Sequence, residues 1–488
     1  MSGILLIPVF FAFKTTASSE FEFPEVVRNY FSLVEAISRH LPFVGVENGV
    51  DAWPNIYCGT ICFALITMYI MSKKFKLKEK LCYLVLVLFF LASFSVNYLN
   101  FFWHILKYPN SLPARQSFIY IFIILTISIK PLLKLNSYKV SDISKAFGIT
   151  ILLLIIVEKI VMVKWVGFYS VYLGIILLFI YLCLLLAYKN KKIDKNILLY
   201  LTVIIVSLEL FFNMYQTSFH TIKRDDYMKN TTSIKTLTSG IKNITDDFYR
   251  VSRDDMLTKN DGAYLGFPSA SIFSSSAYAS GTEFYKTFGM EASTNAYSVT
   301  GGTPFIDSLL SIKYIVAENK KEEPVNIDMR ELANDKDVYL YQNLDSLPFS
   351  YVLKHSFLAD YDMSSGNPAT VQNNFSRTLK EGVLLDKKKV EIQGKTAKYR
   401  TDEKGLYYVF VRDKGIKQVT VVYETTTKTF KNLNRGYFIN LGYLGKDVDL
   451  EFRNDTNDSE LLIELFTCII YRKKSNNYRS CWIFIFRN

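Results

Sequence analysis

SKKFKLKEK, residues Ser72 to Lys80, decides how the chain folds. It carries five lysines against Glu79 alone and lies between two apolar runs, 57–72 and 81–99. A short lysine-rich loop between apolar runs is the mark of a membrane protein held with that loop in the cytoplasm. Working outward, five more apolar runs appear at 3–14, 116–130, 146–163, 168–188 and 197–214. Two further loops repeat the bias: Lys130, Lys134, Lys139 and Lys145 against Asp142, then Lys189, Lys191, Lys192 and Lys195 against Asp194. The alternate loops differ. Residues 15–56 hold two arginines against six acids, and 164–167 hold Lys164 alone. The alternation places 15–56, 100–115 and everything after 214 outside.

Composition agrees with this division. Half of the 488 residues are hydrophobic, and the apolar runs end before residue 215. The net charge of +12 follows from orienting lysines, so no nucleic-acid partner is expected. Six cysteines and four histidines are scattered without metal-ligand spacing, so neither a metal nor a cofactor is expected. The polar half has no cysteine before Cys468, which excludes a disulfide-built domain. Within the runs, Glu158 and Lys159 interrupt one, and Glu209 and Asn213 share a helix face in another. The ordinary reading is an interhelical hydrogen bond for Glu209 and a snorkelling Lys159. The functional reading is a polar pathway.

The outer loop Asn100–Gln116, NFFWHILKYPNSLPARQ, is aromatic and basic, and Pro109 and Pro113 forbid a regular helix across its second half. Its Trp103, His104, Lys107, Asn110 and Arg115 suit an anionic headgroup, because a guanidinium at the phosphate level grips oxygens in pairs. A plain interfacial anchor is the competing reading for Arg115. Asn55 joins the candidates from GVDAWPNI at the mouth of the second run. The acids Glu20, Glu22, Glu25, Glu47 and Asp51 have no motif spacing and read as solvated loop residues.

The expected architecture is an α-helical multi-spanning membrane bundle, followed by an extracytoplasmic α+β region that ends in a β-sandwich-like domain. Its boundaries are 1–214 for about seven spans, 215–335 for a mixed region, 336–466 for a β-rich domain and 467–488 for an atypical tail. In the mixed region, FYRVSR predicts a strand, and TGGTPFIDSLLSIKYIVAE predicts a turn, a short helix and a buried strand. After Lys336, DVYLYQNL, FSYVLKH, KKVEIQG, GLYYVFVR, QVTVVYE, GYFINLG and DVDLEFR recur at sandwich spacing, with aromatics expected in the core. No Ser-His-Asp set or phosphate-cradling glycine loop is present.

Several stretches together resemble the YfhO family of bacterial membrane proteins. They are PNIYCG at Pro54–Gly59, PNSLPARQSF at Pro109–Phe118, and FYRV, NDGAYLGF, FSS and TGGTPFIDSLLSIKYI in succession from Phe248 to Ile315. The resemblance implies a GT-C-like glycosyltransferase using a polyprenyl-phosphate-linked sugar at the outer membrane face. The acceptor it implies is a cell-wall polymer such as lipoteichoic acid, and the setting a multi-pass cell-membrane protein in the lipid bilayer. Such enzymes rely on an outer-loop acid near their first spans. Here Met1 opens onto what resembles a late span, so no catalytic residue is carried over and the catalytic base is unknown. Family-like sequence runs through LLIELF at Leu461–Phe466, and the basic tail after it is expected to mark a truncated or frame-disturbed product. The alternative function is a non-enzymatic envelope protein whose outer domain binds glycopolymer or a partner enzyme. A lipid or solute transporter would show paired broken spans and inverted repeats, which the sequence lacks.

Overall fold

A computed structural model describes residues 2–17, 23–45, 54–104, 114–160, 168–218, 222–320, 329–350, 366–379, 382–457 and 459–469. The chain divides into a helical unit, Phe21–Asp226, and a β-rich unit formed by Met1–Glu20 with Tyr227–Asn488.

The helical unit contains α2 (Leu33–Ser38), α3 (Ile61–Met71), α4 (Leu77–Ser95), α5 (Asn97–Trp103), α6 (Ser117–Leu133), α7 (Val140–Ile160), α8 (Phe168–Lys189) and α9 (Lys195–Ser218). Its core lies between α3, α7 and α8, where Leu65, Met68, Phe147, Leu154, Leu178 and Tyr181 are buried together. A second cluster joins α3, α4 and α6 through Cys62, Phe94 and Ile124. Among the described residues, three helices are long and apolar enough to cross a membrane: Val140–Ile160, Tyr169–Lys189 and Lys195–Thr217. This reduces the expectation of about seven spans. The runs at 3–14, 57–72 and 116–130 form shorter apolar helices, Gly3–Lys14, Ile61–Met71 and Ser117–Leu133.

The run 81–99 departs from expectation at both ends. Its helix α4 starts within the lysine loop and stops at Ser95, where Val96 turns to extended backbone with ψ 119°. The physical cause is an extended segment docked across the break. Asn97 accepts from Arg28 N at 3.0 Å and donates to Val26 O at 2.9 Å, and Tyr30 N donates to Ser95 O at 2.9 Å. Tyr30 N satisfies a carbonyl that the helix end exposes, and the Asn97 side chain satisfies backbone groups of the docked segment.

The three lysine loops converge at one end of this unit. Lys130 pairs with Glu79 at 2.6 Å, Lys189 donates to Asn136 O at 2.9 Å, and Lys74 donates to Ser137 O.

In the β-rich unit, α1 (Ser2–Lys14) is followed after residue 227 by α11 (Thr231–Gly240), α12 (Asp261–Leu265), α13 (Ala279–Thr287), α14 (Pro304–Leu309) and α15 (Pro368–Thr378). The short helix α10 (Arg224–Met228) precedes these at the unit boundary. One sheet has the order β1-β5-β7-β6, built from Arg250–Arg253, Ile312–Glu318, Val338–Asn343 and Met329–Asp335. Its β1–β5 pair is parallel and its other pairs antiparallel. A small sheet pairs β2 (Ile272–Phe273) and β3 (Ala292–Ser293) with β4 (Ala296–Tyr297).

The sandwich has two antiparallel sheets. One is β13-β12-β15-β10-β9, from Thr426–Lys431, Gln418–Tyr423, Asp449–Asn454, Thr396–Arg400 and Glu391–Gln393. The other is β14-β11-β16-β8, from Ile439–Leu444, Gly405–Val411, Ile463–Cys468 and Leu385–Lys388. Tyr407, Tyr423, Tyr437, Val421, Phe452 and Leu465 fill the space between them, so the alternating aromatics are core as expected. FSYVLKH lies largely outside the described residues, beginning with residue 351.

The opposite face of the β11 sheet is covered as well. Tyr408, Leu406 and Phe466 pack there against Phe288, Met290, Phe305 and Phe375. Burial on two faces explains why β11 reads GLYYVFV without polar alternation. The glycines of TFGM and TGGT make this contact possible. Gly289 and Gly301 have φ +82° and +87°, and a Cβ on Gly289 would collide with the Phe438 ring. A Cβ on Gly301 would meet Gly289 O at 2.7 Å. Phe438 N donates to Gly289 O at 2.8 Å, so backbone lies directly on backbone.

Candidate functional site

Helix α9 carries Glu209 into the helical unit one turn before Asn213. Glu209 is buried and receives Thr60 N at 2.7 Å, the Tyr181 hydroxyl at 2.6 Å and the Tyr57 hydroxyl. A carboxylate at the first turn of α3 also meets the positive end of that helix. Asn213 accepts from Phe43 N at 2.7 Å and holds Phe43 at φ +63°. Glu209 is therefore an interhelical tie that also fastens PNIYCG, and Asn213 ties α9 to the 41–45 turn. Lys159 is exposed near the end of α7.

Next to this tie lies an apolar cleft of about 580 Å³. Cys58, Cys62, Phe63 and Ile66 form one wall, Leu81, Leu84, Val87 and Leu91 of α4 the second, and Tyr120, Ile124 and Ile127 of α6 the third. At one end His40 Nε2 lies 2.9 Å from the Tyr120 hydroxyl, and His40 Nδ1 lies 3.1 Å from Ala36 O. The carbonyl can only accept, so Nδ1–H donates to it and Nε2 accepts from Tyr120. Burial pushes the His40 imidazole down to about 4, which keeps it neutral. At the other end Lys80 covers the last turn of α3, donating to Ile70 O at 2.7 Å and Ser72 O at 2.6 Å. An apolar trough with a few polar groups at its ends suits a hydrocarbon chain carrying a polar head.

The sequence candidates sort as follows. Trp103 packs on Phe90 of α4 with ring centroids 5.6 Å apart. His104 Nδ1 lies 2.8 Å from Asn100 O, while Nε2 is buried and has no hydrogen-bond partner among the described residues. Burial lowers the His104 imidazole, and the nearby charge of Arg115 adds to this. Arg115 is exposed in the turn that leads into α6. Asn100 Oδ1 accepts from Ala114 N at 3.4 Å and so ties the two ends of the loop. Lys107 and Asn110 lie outside the described residues. Asn55 is exposed and accepts from Arg39 Nη2 at 3.3 Å.

Arg39, His40 and Tyr120 had no sequence signal. Arg39 is buried and donates to Pro54 O at 3.4 Å and Gly45 O at 2.9 Å. Adjacent Arg39 and His40 sit in an unstructured-looking loop, and only packing shows that one fastens the loop while the other heads the cleft. No Asp or Glu lines the cleft among the described residues, and no cluster there could hold a metal ion. Glu25 is exposed, and Glu20, Glu22, Glu47 and Asp51 lie outside the described residues.

Comparison with known proteins places these features in context. A family model described as bacterial membrane protein YfhO matches residues 1–462. No curated protein matches the chain. A crystal structure of a ruminal GH26 endo-beta-1,4-mannanase aligns at 13% identity and TM-score 0.13, covering 17% of this chain and 19% of the mannanase chain. A superposition that loose says nothing about fold or activity.

Proposed function

Because the chain belongs to the YfhO family of bacterial membrane proteins, we propose that it is a multi-pass, glycosyltransferase-like protein of the cell membrane. Its donor is a polyprenyl-phosphate-linked sugar, used at the outer face, and its acceptor is a cell-wall glycopolymer such as lipoteichoic acid. The carboxy-terminal β-rich unit is extracytoplasmic in this reading and holds the acceptor. The observation that carries it is the apolar cleft between α3, α4 and α6, headed by His40 and Tyr120. A polyprenyl chain fills the trough, and its phosphate meets Arg115, with Trp103, Asn55 and His104 toward the sugar, where His104 Nε2 can accept from a sugar hydroxyl because Nδ1–H is held by Asn100 O. Lys107 and Asn110 belong to the same loop and would add donors to the phosphate. In the transfer step the acceptor hydroxyl forms a bond to the anomeric carbon, the carbon–oxygen bond to phosphate breaks, and polyprenyl phosphate leaves. The hydroxyl proton passes to a base, and among the described residues no Asp or Glu lines the cleft.

A cleft without a carboxylate among its described residues favours a second reading, in which the chain binds a lipid-linked or polymeric glycan without transferring it. Membranes holding the chain are incubated with radiolabelled polyprenyl-phosphate sugar and teichoic acid. Label in the polymer supports transfer. Donor binding without label in the polymer supports the binding reading. Arg115→Ala sharpens the test: loss of one charge-assisted phosphate contact is expected to weaken donor binding about tenfold, and unchanged binding would remove its assigned role.

A further inference from the structure

Helix α1 is apolar on every side. Its SGILLIPVFFAFK carries no charge before Lys14, and every residue from Gly3 to Thr15 is exposed. A helix that lies along a membrane surface has one polar face. One that is apolar all round is enclosed, and in a membrane protein the enclosing medium is hydrocarbon. Its carboxy end is fastened to the β-rich unit. Ala17 N donates to Ala277 O at 2.8 Å and Ala279 N donates to Thr15 O at 3.0 Å, forming an antiparallel bridge between Thr16 and Tyr278. The loop that meets α1 there is Ile272–Tyr278, IFSSSAY, which has no charged residue. Its other side is fixed to the unit: Phe273 N donates to Asn260 Oδ1 at 2.8 Å, and Ser274 N donates to Asn295 O at 2.8 Å.

We propose that the Ile272–Tyr278 loop is a lipid-contacting surface, seated in the headgroup layer of the bilayer that α1 enters. A bridge of this kind holds two chains about 5 Å apart, so the loop lies at the depth where α1 ends. Lys14, the one charged side chain of α1, stands at that end, with its ammonium over the Phe10 ring at 4.9 Å from the centroid. Phe273 and Tyr278 are 52% and 63% exposed, a large uncovered aromatic area for one short loop. Aromatic rings with small hydroxyls and no acids match the membrane–water interface. The bilayer is the occupant because the exposed Tyr278 is bridged to Thr16, just past the apolar α1, which is exposed from Gly3 to Lys14. The loop then holds the β-rich unit against the membrane, a role separate from any glycosyl transfer.

The test uses the full chain in lipid nanodiscs, with an environment-sensitive fluorescent amino acid at one position at a time. The positions are Tyr278, Ile7 in α1, and Lys428 on the exposed strand β13. Nitroxide lipids quench from the headgroup or from mid-chain. The expected result is headgroup quenching at 278 several-fold above that at 428, with mid-chain quenching at 7. Equal quenching at 278 and 428 would overturn the proposal, as would a water-exposed probe at 7. Concentration-dependent change at 278 in detergent without nitroxide lipid would assign the surface to a second copy and overturn it too. Phe273→Ser removes an exposed ring without touching the core, and it is expected to lower headgroup quenching of the 278 probe.

Discussion

Glu209 shows how one polar residue in an apolar run is to be understood. Three donors converge on its carboxylate from α3, α8 and the stretch before α3. Glu209→Ala leaves all three without an acceptor in a buried place, at roughly 1 kcal/mol or more each. The expected outcome is a loss of about 3 kcal/mol, read as a lower unfolding midpoint in detergent. An unchanged midpoint would show the tie to be dispensable. His40 yields a pH prediction. Its folded pKa of about 4 lies below the ordinary imidazole value of 6.5, so between these values the unfolded chain binds more protons. Stability is then full above pH 6.5 and falls as the pH drops toward 4, by up to about 3 kcal/mol. Thermal unfolding at pH 7.5 and pH 5 should show this fall in the native chain and a smaller one in His40→Gln. Glu209 was legible as an interhelical tie because a carboxylate in an apolar run has few other fates. His40 was not, because nothing in the local pattern places it opposite Tyr120, eighty positions away.

Elements depart from their sequence patterns where distant chain intervenes. The run 81–99 is one apolar stretch, yet it becomes α4 and α5 because residues 24–31 bond to its backbone at Ser95–Asn97. Asn97→Ala removes the side-chain half of that seam while leaving helix propensity intact. Faster amide exchange at Arg28 is expected, from the loss of an acceptor for its N–H; unchanged exchange would mean the seam rests on other contacts. The glycine-rich TGGT illustrates the opposite case. It reads as a turn, and packing shows what the turn is for: Gly301 and Gly289 are where two layers of the β-rich unit touch. Gly301→Ala puts a methyl group against backbone at a positive φ, so a destabilisation of about 2–4 kcal/mol is expected. A midpoint within a degree of the native value would contradict the packing role. The residues that carry the family resemblance, from NDGAYLGF to TGGTPFID, are largely of this kind. Asp261 accepts from Leu257 N and Thr258 N and pairs with Arg253, and Thr303 donates to a buried Gln372. These contacts build the scaffold of the β-rich unit.

Across the whole molecule, orientation is the property most open to experiment. The three lysine loops meet at one end of the helical unit, and the proposed topology puts that end in the cytoplasm. A cysteine at Lys73 should resist a membrane-impermeant maleimide in intact cells until they are permeabilised, whereas a cysteine at Lys428 should react at once. The reverse pattern would invert the proposed topology. Charge bias, hydropathy and strand alternation are local quantities, and the residues alone were enough to establish a helical membrane half, a β-rich half and the family. The ends of the helices were not local. Run length is a property of side chains, but where a helix stops depends on which backbone groups find partners elsewhere, as at Val96. The cleft was less local still, for its walls come from α3, α4 and α6 and its head from the loop at His40. A cavity is a relation between surfaces far apart in the chain, and packing alone brings those surfaces face to face.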